Sequence, residues 1–280
     1  MAEQLPDADE PCVVLISAPG VDSAPLRQIF DKVYGDHCFH VPFVGAVDAV
    51  RACTLQDARK IKCITMSNPL GFHRYFGAPV PNVPLREDGL FTGRDIVHVA
   101  LVANPVHRQL TLQQQIASAP DHPYNERAKS CNFHEFLEFM SEAEPGITNN
   151  QQCGLLSGES SRTFKSAKMA IMSQPFLAST PENIGPLARA LGIRLGWDTN
   201  HLSVVAASSP PGTNGISRIL TSTKDSFMQL YYRHRQSVND HDEALFRWIK
   251  SAPDSVRRGS ELEVGANANG AIDAHDSEAS

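Results

Sequence analysis

The chain has 280 residues, 41% of them hydrophobic and 20% charged, which is enough apolar material for one large core or two small ones. Its formal net charge of −6 argues against nucleic acid as the main partner. No run approaches the roughly 18 apolar residues of a membrane-spanning helix, so no membrane partner is expected. The acidic start "MAEQLPDADEP" lacks the basic and apolar regions of a secretory signal, so a cytoplasmic protein is expected.

Residues 1–11 read as disordered. Cys12 to Ser17 is a short apolar run, the pattern of a buried parallel strand. Leu26, Ile29, Phe30 and Val33 follow at the spacing of one helix face, and Gly35 ends that helix. "HCFH", His37 to His40, offers metal-ligating side chains. No second cluster at ligand spacing completes a set of four, and no metal is expected. The six cysteines (12, 38, 53, 63, 131 and 153) form no Cys-x-x-Cys and read as small core residues.

"IKCITM" (61–66) and "DIVHVALV" (95–102) are the next two strands. A helix follows from Asn104, with Asn104 as N-cap and Pro105 in the first turn, where its missing N–H costs nothing. "NFHEFLEFM" is a further helix. After residue 160 the pattern is mainly helical. Thr180 caps a helix with Pro181 at its start and Ile184, Leu187, Ala188 and Leu191 on one face, and Gly192 is expected to stop it. "YYRHR" (231–235) reads as a solvated helix surface. The last helix, "NDHDEALFRWIK", turns Leu245, Trp248 and Ile249 inward. From residue 255 to 280 the chain is small, acidic and expected to be disordered, which leaves one domain over residues 12–254.

Strands separated by helices predict an α/β layer fold with a central parallel sheet. Ligands in such sheets lie beyond the carboxyl ends of strands. Two turns therefore become candidate ligand sites, residues 17–25 and residues 103–111.

Taken in order, these segments resemble the carbohydrate sulfotransferases of the heparan and uronyl sulfotransferase type and their bacterial relatives. In "PGVDSAPLR", Pro19, Leu26 and Arg27 match the family's first motif, while its lysine falls on Gly20 and its two glycines on Asp22 and Ser23. In "MSNPLGFHRY", Pro69, Gly71, His73, Arg74 and Tyr75 match, and the family's base histidine falls on Ser67. In "ANPVHRQLT", Pro105, Val106, Arg108 and Leu110 match, Thr111 stands for a serine, and an arginine and an aspartate fall on Ala103 and Asn104. "NNQQCGLLSG" matches at Asn150, Gln152, Leu156 and Gly158, with the family arginine on Gly154. "NIGPLARALG" and "NDHDEALFRWI" are similar to the closing helices, so the likeness spans about residues 12 to 250.

The resemblance implies a three-layer, P-loop-like sulfotransferase fold. It implies transfer of a sulfuryl group from 3′-phosphoadenosine 5′-phosphosulfate to a hydroxyl of a carbohydrate or similar acceptor, with no metal. Carried over residue by residue, it puts the donor nucleotide at Gly20, Ser23, Arg27, Arg108 and Thr111, and leaves His73 as the candidate base. Such transfer needs amide donors and a cation at the 5′-phosphate, a cation and hydroxyl at the 3′-phosphate, and a proton acceptor beside the attacking hydroxyl. The loop has lost its lysine, Asp22 adds a negative charge, Pro25 removes an N–H, and Ser67 cannot act as a base at neutral pH. Activity is therefore expected to be weak. A sulfotransferase fold without activity, kept as a binding or scaffold module, stays open beside the enzyme.

Overall fold

The computed structural model describes residues 11–42, 46–53, 60–72, 94–158, 161–197, 239–253 and 256–259. Its centre follows from one property of the first strand. β1 (Cys12–Ser17) has no outward polar alternation and is buried along its whole length. A strand apolar on both faces needs cover on both, and it gains pairing partners on both edges. β3 (Cys63–Met66) and β4 (Ile96–Leu101) lie on either side of it, both parallel, with Leu15 opposite Thr65 on one edge and Val99 on the other. The three strands expected from apolar runs are thus neighbours and parallel.

Two strands too short to stand out in the sequence extend the sheet. β2 (Cys38–His40) pairs with β3, and β5 (Phe176–Ser179) pairs with β4, again in parallel. β6 (Val256–Arg258) runs antiparallel to β5 and closes that edge. The order is β2-β3-β1-β4-β5-β6. The region expected to be unstructured from residue 255 therefore contributes an ordered strand, held by pairing rather than by its own composition.

Helices cover this mostly parallel sheet, as in a three-layer α/β fold. α1 (Ala24–Tyr34) buries Leu26, Ile29 and Phe30, and Gly35 caps its end at φ 54°, as the sequence pattern predicts. α2 spans Ala46–Ala52. α3 (Pro105–Ser118) begins at Asn104, whose side chain accepts from the Val106 and His107 amides. α4 (Asn125–Ser130) and α5 (Phe133–Ala143) pack Ala128, Phe136, Leu137 and Met140 against Val106, Leu112 and Ile116 of α3, forming a second apolar cluster apart from the sheet. The short α6 (Pro145–Thr148) and α7 (Gln151–Leu156) lead to α8 (Phe164–Met172).

α9 (Ile184–Leu195) departs from the expected boundary. Pro181 opens a 3₁₀ turn, Pro181–Asn183, and the helix proper begins at Ile184. It runs through Gly192, which is buried within it, and stops at Gly196, where φ is 65°. Glycine is tolerated inside a helix at about 1 kcal/mol, and only the position that needs a left-handed φ ends one. Trp197, just beyond, packs edge-on to Phe30 and Tyr34 of α1. The last helix, α10 (residues 239–250), buries Leu245 and Ile249.

The connection from β1 runs to one side of the sheet and that from β3 crosses to the other. This opens a crevice beyond the carboxyl ends of β1 and its neighbours. His73, "YYRHR", the N-terminal segment and the rest of the tail lie outside the described residues. No helix among the described residues is long and apolar enough to cross a membrane.

Candidate functional site

A cleft of about 560 Å³ occupies that crevice. It is lined by the loop after β1, by Arg27 on α1, by His40 at the end of β2 with Val41 and Pro42 after it, by Thr65 to Ser67 at the end of β3, and by Leu112, Gln115 and Ile116 of α3. Gly20, Ser23 and Arg27, expected at the donor nucleotide, all reach this lining, and so does Ser67. Arg108 and Thr111 do not line it.

The loop after β1 is built as a tight turn. The Val21 amide donates to the Ala18 carbonyl at 3.0 Å, with Pro19 and Gly20 between them and Gly20 at φ +85°. Proline then a positive-φ glycine is the chemistry of a type II turn. The Gly20 amide donates to Gln115 Oε1 at 3.2 Å. A Cβ placed on Gly20 would stand 2.1 Å from the Arg108 carbonyl oxygen and 2.9 Å from Leu112 Cβ. The lysine that the resemblance puts here has no room, because the turn is pressed onto the backbone of α3.

The start of α1 keeps few free donors. Asp22 Oδ1 accepts the Ala24 amide at 3.2 Å, Pro25 has none, and the Arg27 amide donates to the Ser23 carbonyl at 3.0 Å. Ser23 is the N-cap residue and is buried, yet its side chain makes no capping bond. Arg27 is exposed, and among the described residues it is the only permanently charged side chain lining the cleft and takes part in no ion pair.

Residues 103–111, the second candidate turn, are turned inward. The Ala103 amide donates to Gln152 Oε1 at 2.8 Å, and Gln152 Nε2 returns a bond to the Ala103 carbonyl at 3.0 Å. The Val106 and His107 amides go to Asn104 Oδ1 and the Arg108 amide to the Asn104 carbonyl. Arg108, expected at a phosphate, is fully buried. Its Nη1 donates to Gln151 Oε1 at 2.7 Å and to the Pro19 carbonyl at 3.2 Å, and its Nη2 to the Ile147 carbonyl at 3.0 Å. The guanidinium thus clamps the β1 turn to α6 and α7. A buried cation needs several acceptors around it, and the chain supplies them from within. Thr111 is half-buried on α3 and stands away from the cleft.

The segment from 150 to 158 serves packing in the same way. Asn150 sits at φ 44° and its Oδ1 accepts the His241 and Asp242 amides, each at 3.1 Å, at the start of α10. Asp242 answers by accepting the Gln152 and Cys153 amides at 3.1 and 2.8 Å, at the start of α7. Arg162 fills the space beside Gly154, its Cγ only 3.1 Å from where a Cβ would be. A side chain at 154 would press on that of Arg162, which already occupies this space.

Sequence reasoning singled out His40 only as part of "HCFH" and missed its place at the cleft and its partner Asp31. On β2 it lies opposite Thr65 of β3, and its ring bridges two elements. Nδ1 meets Thr65 Oγ1 at 2.6 Å, and Nε2 meets Asp31 Oδ1 of α1 at 2.8 Å. The second histidine at the cleft, His122, has its pKa lowered, chiefly by desolvation and against the pull of Glu144. No protein-family model, curated protein or solved structure matches this chain.

Proposed function

We propose that the cleft binds the phosphates of a nucleotide sulfate donor, 3′-phosphoadenosine 5′-phosphosulfate or its bisphosphate product, in a sulfotransferase-like, P-loop-like frame. Transfer to a carbohydrate or similar hydroxyl acceptor is then weak. The observation that carries the reading is Arg27, an exposed cation without an ion-pair partner among the described residues, set beside Ser17, Ser23 and Ser67 at the carboxyl ends of β1 and β3. In the transfer, the bond between sulfur and the donor phosphate oxygen breaks, a bond from the acceptor oxygen to sulfur forms, and the hydroxyl proton leaves to a base. Two of the groups that speed this step are wanting. The leaving phosphate has one arginine and no lysine, and loss of one preorganised donor costs on the order of 3 kcal/mol of barrier. Ser67, at the family's base position, does not take a proton at neutral pH.

Calorimetric titration with 3′,5′-adenosine bisphosphate tests the binding. One charge-assisted phosphate contact is worth roughly 1.5–3 kcal/mol, so Arg27→Ala should weaken binding about 10- to 150-fold. Being exposed, the variant should melt within about 0.5 kcal/mol of the wild type. A wild type with neither heat nor thermal shift at millimolar ligand, or an Arg27→Ala variant that binds equally well, would overturn the reading.

A second reading, a binding module without transfer, is favoured by one observation: the closed surroundings of Gly20. Its outcome is distinct. The bisphosphate binds, and labelled donor transfers no sulfate to any member of a glycan panel.

A further inference from the structure

The chain brings together, from a strand and a helix, three side chains that the nucleotide reading does not use. Cys38 and His40 stand two apart on β2, so both project to the same face of the strand. α1 packs on that strand, and Asp31 meets them there. Cys38 Sγ, a His40 ring nitrogen and an Asp31 carboxylate oxygen lie within 4.8 Å of one another. We propose that Asp31, Cys38 and His40 form a binding site for one zinc ion at the β2 edge of the cleft.

Three features beyond proximity support the site. The first is the donor set. One thiolate, one imidazole and one carboxylate are the ligands zinc takes, whereas magnesium and calcium prefer oxygen alone. A thiolate and a carboxylate also balance the charge of a divalent ion. The second is the shell behind the ligands. A metal-bound imidazole generally holds its other nitrogen to a fixed group, which sets ring orientation. Here Thr65 Oγ1 is 2.6 Å from Nδ1, leaving Nε2 turned toward Asp31 at 2.8 Å. With the ion on Nε2, Nδ1 carries the proton and donates to Thr65. The Cys38 and Cys63 thiols likewise meet side by side, on register partners of β2 and β3. The third is access: the side chains of His40 and Asp31 are 39% and 50% exposed, so an ion can enter from solvent. Three protein ligands leave a fourth position for water or another small ligand, the pattern of reactive zinc sites.

The inference does not depend on the nucleotide reading, and the nucleotide titrations run in EDTA keep the two apart. The experiment is dialysis of the full chain against zinc, with the bound metal counted, followed by titration with cobalt. One zinc per chain is expected, together with the near-ultraviolet charge-transfer absorption of a thiolate on cobalt and the visible bands of a four-coordinate ion. Cys38→Ser should abolish the charge-transfer band. His40→Gln and Asp31→Asn should weaken zinc binding by at least about 100-fold, and Thr65→Val by about 10- to 100-fold. Cys131→Ser, on the distant α4–α5 connection, should change nothing. Melting of each variant in EDTA establishes that it folds. If Cys38→Ser does not fold, the wild-type cobalt spectrum with its Cys131→Ser control decides. A wild type that retains no zinc, a cobalt complex without the thiolate band, or full binding by His40→Gln would overturn the site.

Discussion

Two arginines from the same sequence argument end in opposite environments, and they separate binding from stability. Arg27 lies on the open wall of the cleft, while Arg108 is fully buried and holds Pro19, Ile147 and Gln151 together. Removing a buried guanidinium leaves a cavity and strips acceptors of their donor, and each hydrogen bond to a charged group contributes roughly 1.5–3 kcal/mol. Arg108→Ala should therefore destabilise the protein by about 3 kcal/mol or more, a fall of roughly 6–12 °C in Tm. Thermal melts of Arg108→Ala and Arg27→Ala side by side check this. Equal stability of the two would contradict the clamp. Neither environment can be read from the spacing of Arg108 and Thr111, since sharing a helix face does not say whether that face meets solvent or protein. Gly20 is a similar case. As a residue it reads as a lost lysine, but its positive φ and its contact with the α3 backbone make glycine a requirement of the turn.

Among the elements, α7 and α10 cap one another across about ninety positions of sequence. Asn150 takes the first amides of α10, and Asp242 takes the first amides of α7. An N-cap is worth about 0.5–2 kcal/mol. Because each cap also positions the other helix, the two losses overlap. Asn150→Ala and Asp242→Ala should each cost about 1–3 kcal/mol, and the double variant should cost less than their sum by at least 0.5 kcal/mol or so. Urea denaturation of the four proteins measures this, and strict additivity would show that the caps act independently. Element types were legible wherever a periodicity ran long enough: the strands at β1, β3 and β4, the apolar face of α1, and the Asn104-Pro105 start of α3. β2 and β5, with three and four residues, carry too little pattern to be told from helix or loop. The same brevity left the proposed zinc site incomplete in the sequence. "HCFH" was visible, but the third ligand comes from α1, and only the packing of that helix on β2 brings Asp31 to His40.

For the molecule as a whole, the edge of the sheet at β5 is the exposed flank that β6 covers. Without β6 it would present the unpaired amides and carbonyls of an apolar strand, a template for pairing with other chains. β6 does more than pair. Val256 is buried, the Gly259 amide donates to the Phe176 carbonyl at 2.8 Å, and Arg257 lies 4.8 Å over the Trp248 ring while donating twice to the Trp248 carbonyl. The strand thereby joins the sheet to α10, and α10 in turn is capped from Asn150. Composition alone pointed to a disordered tail here, since a lone valine between a serine and two arginines says nothing of an edge waiting to be paired. Burial of one valine contributes about 1.5–3 kcal/mol, and the hydrogen bonds and ring contact add to it. A chain ending at residue 253 should therefore melt on the order of 10 °C below one ending at residue 260, and it should aggregate more readily on warming. Light scattering recorded during the melts reads the second effect. Two chains with the same Tm and the same scattering would mean that β5 is stable as an edge, and that its antiparallel partner is dispensable to the sheet.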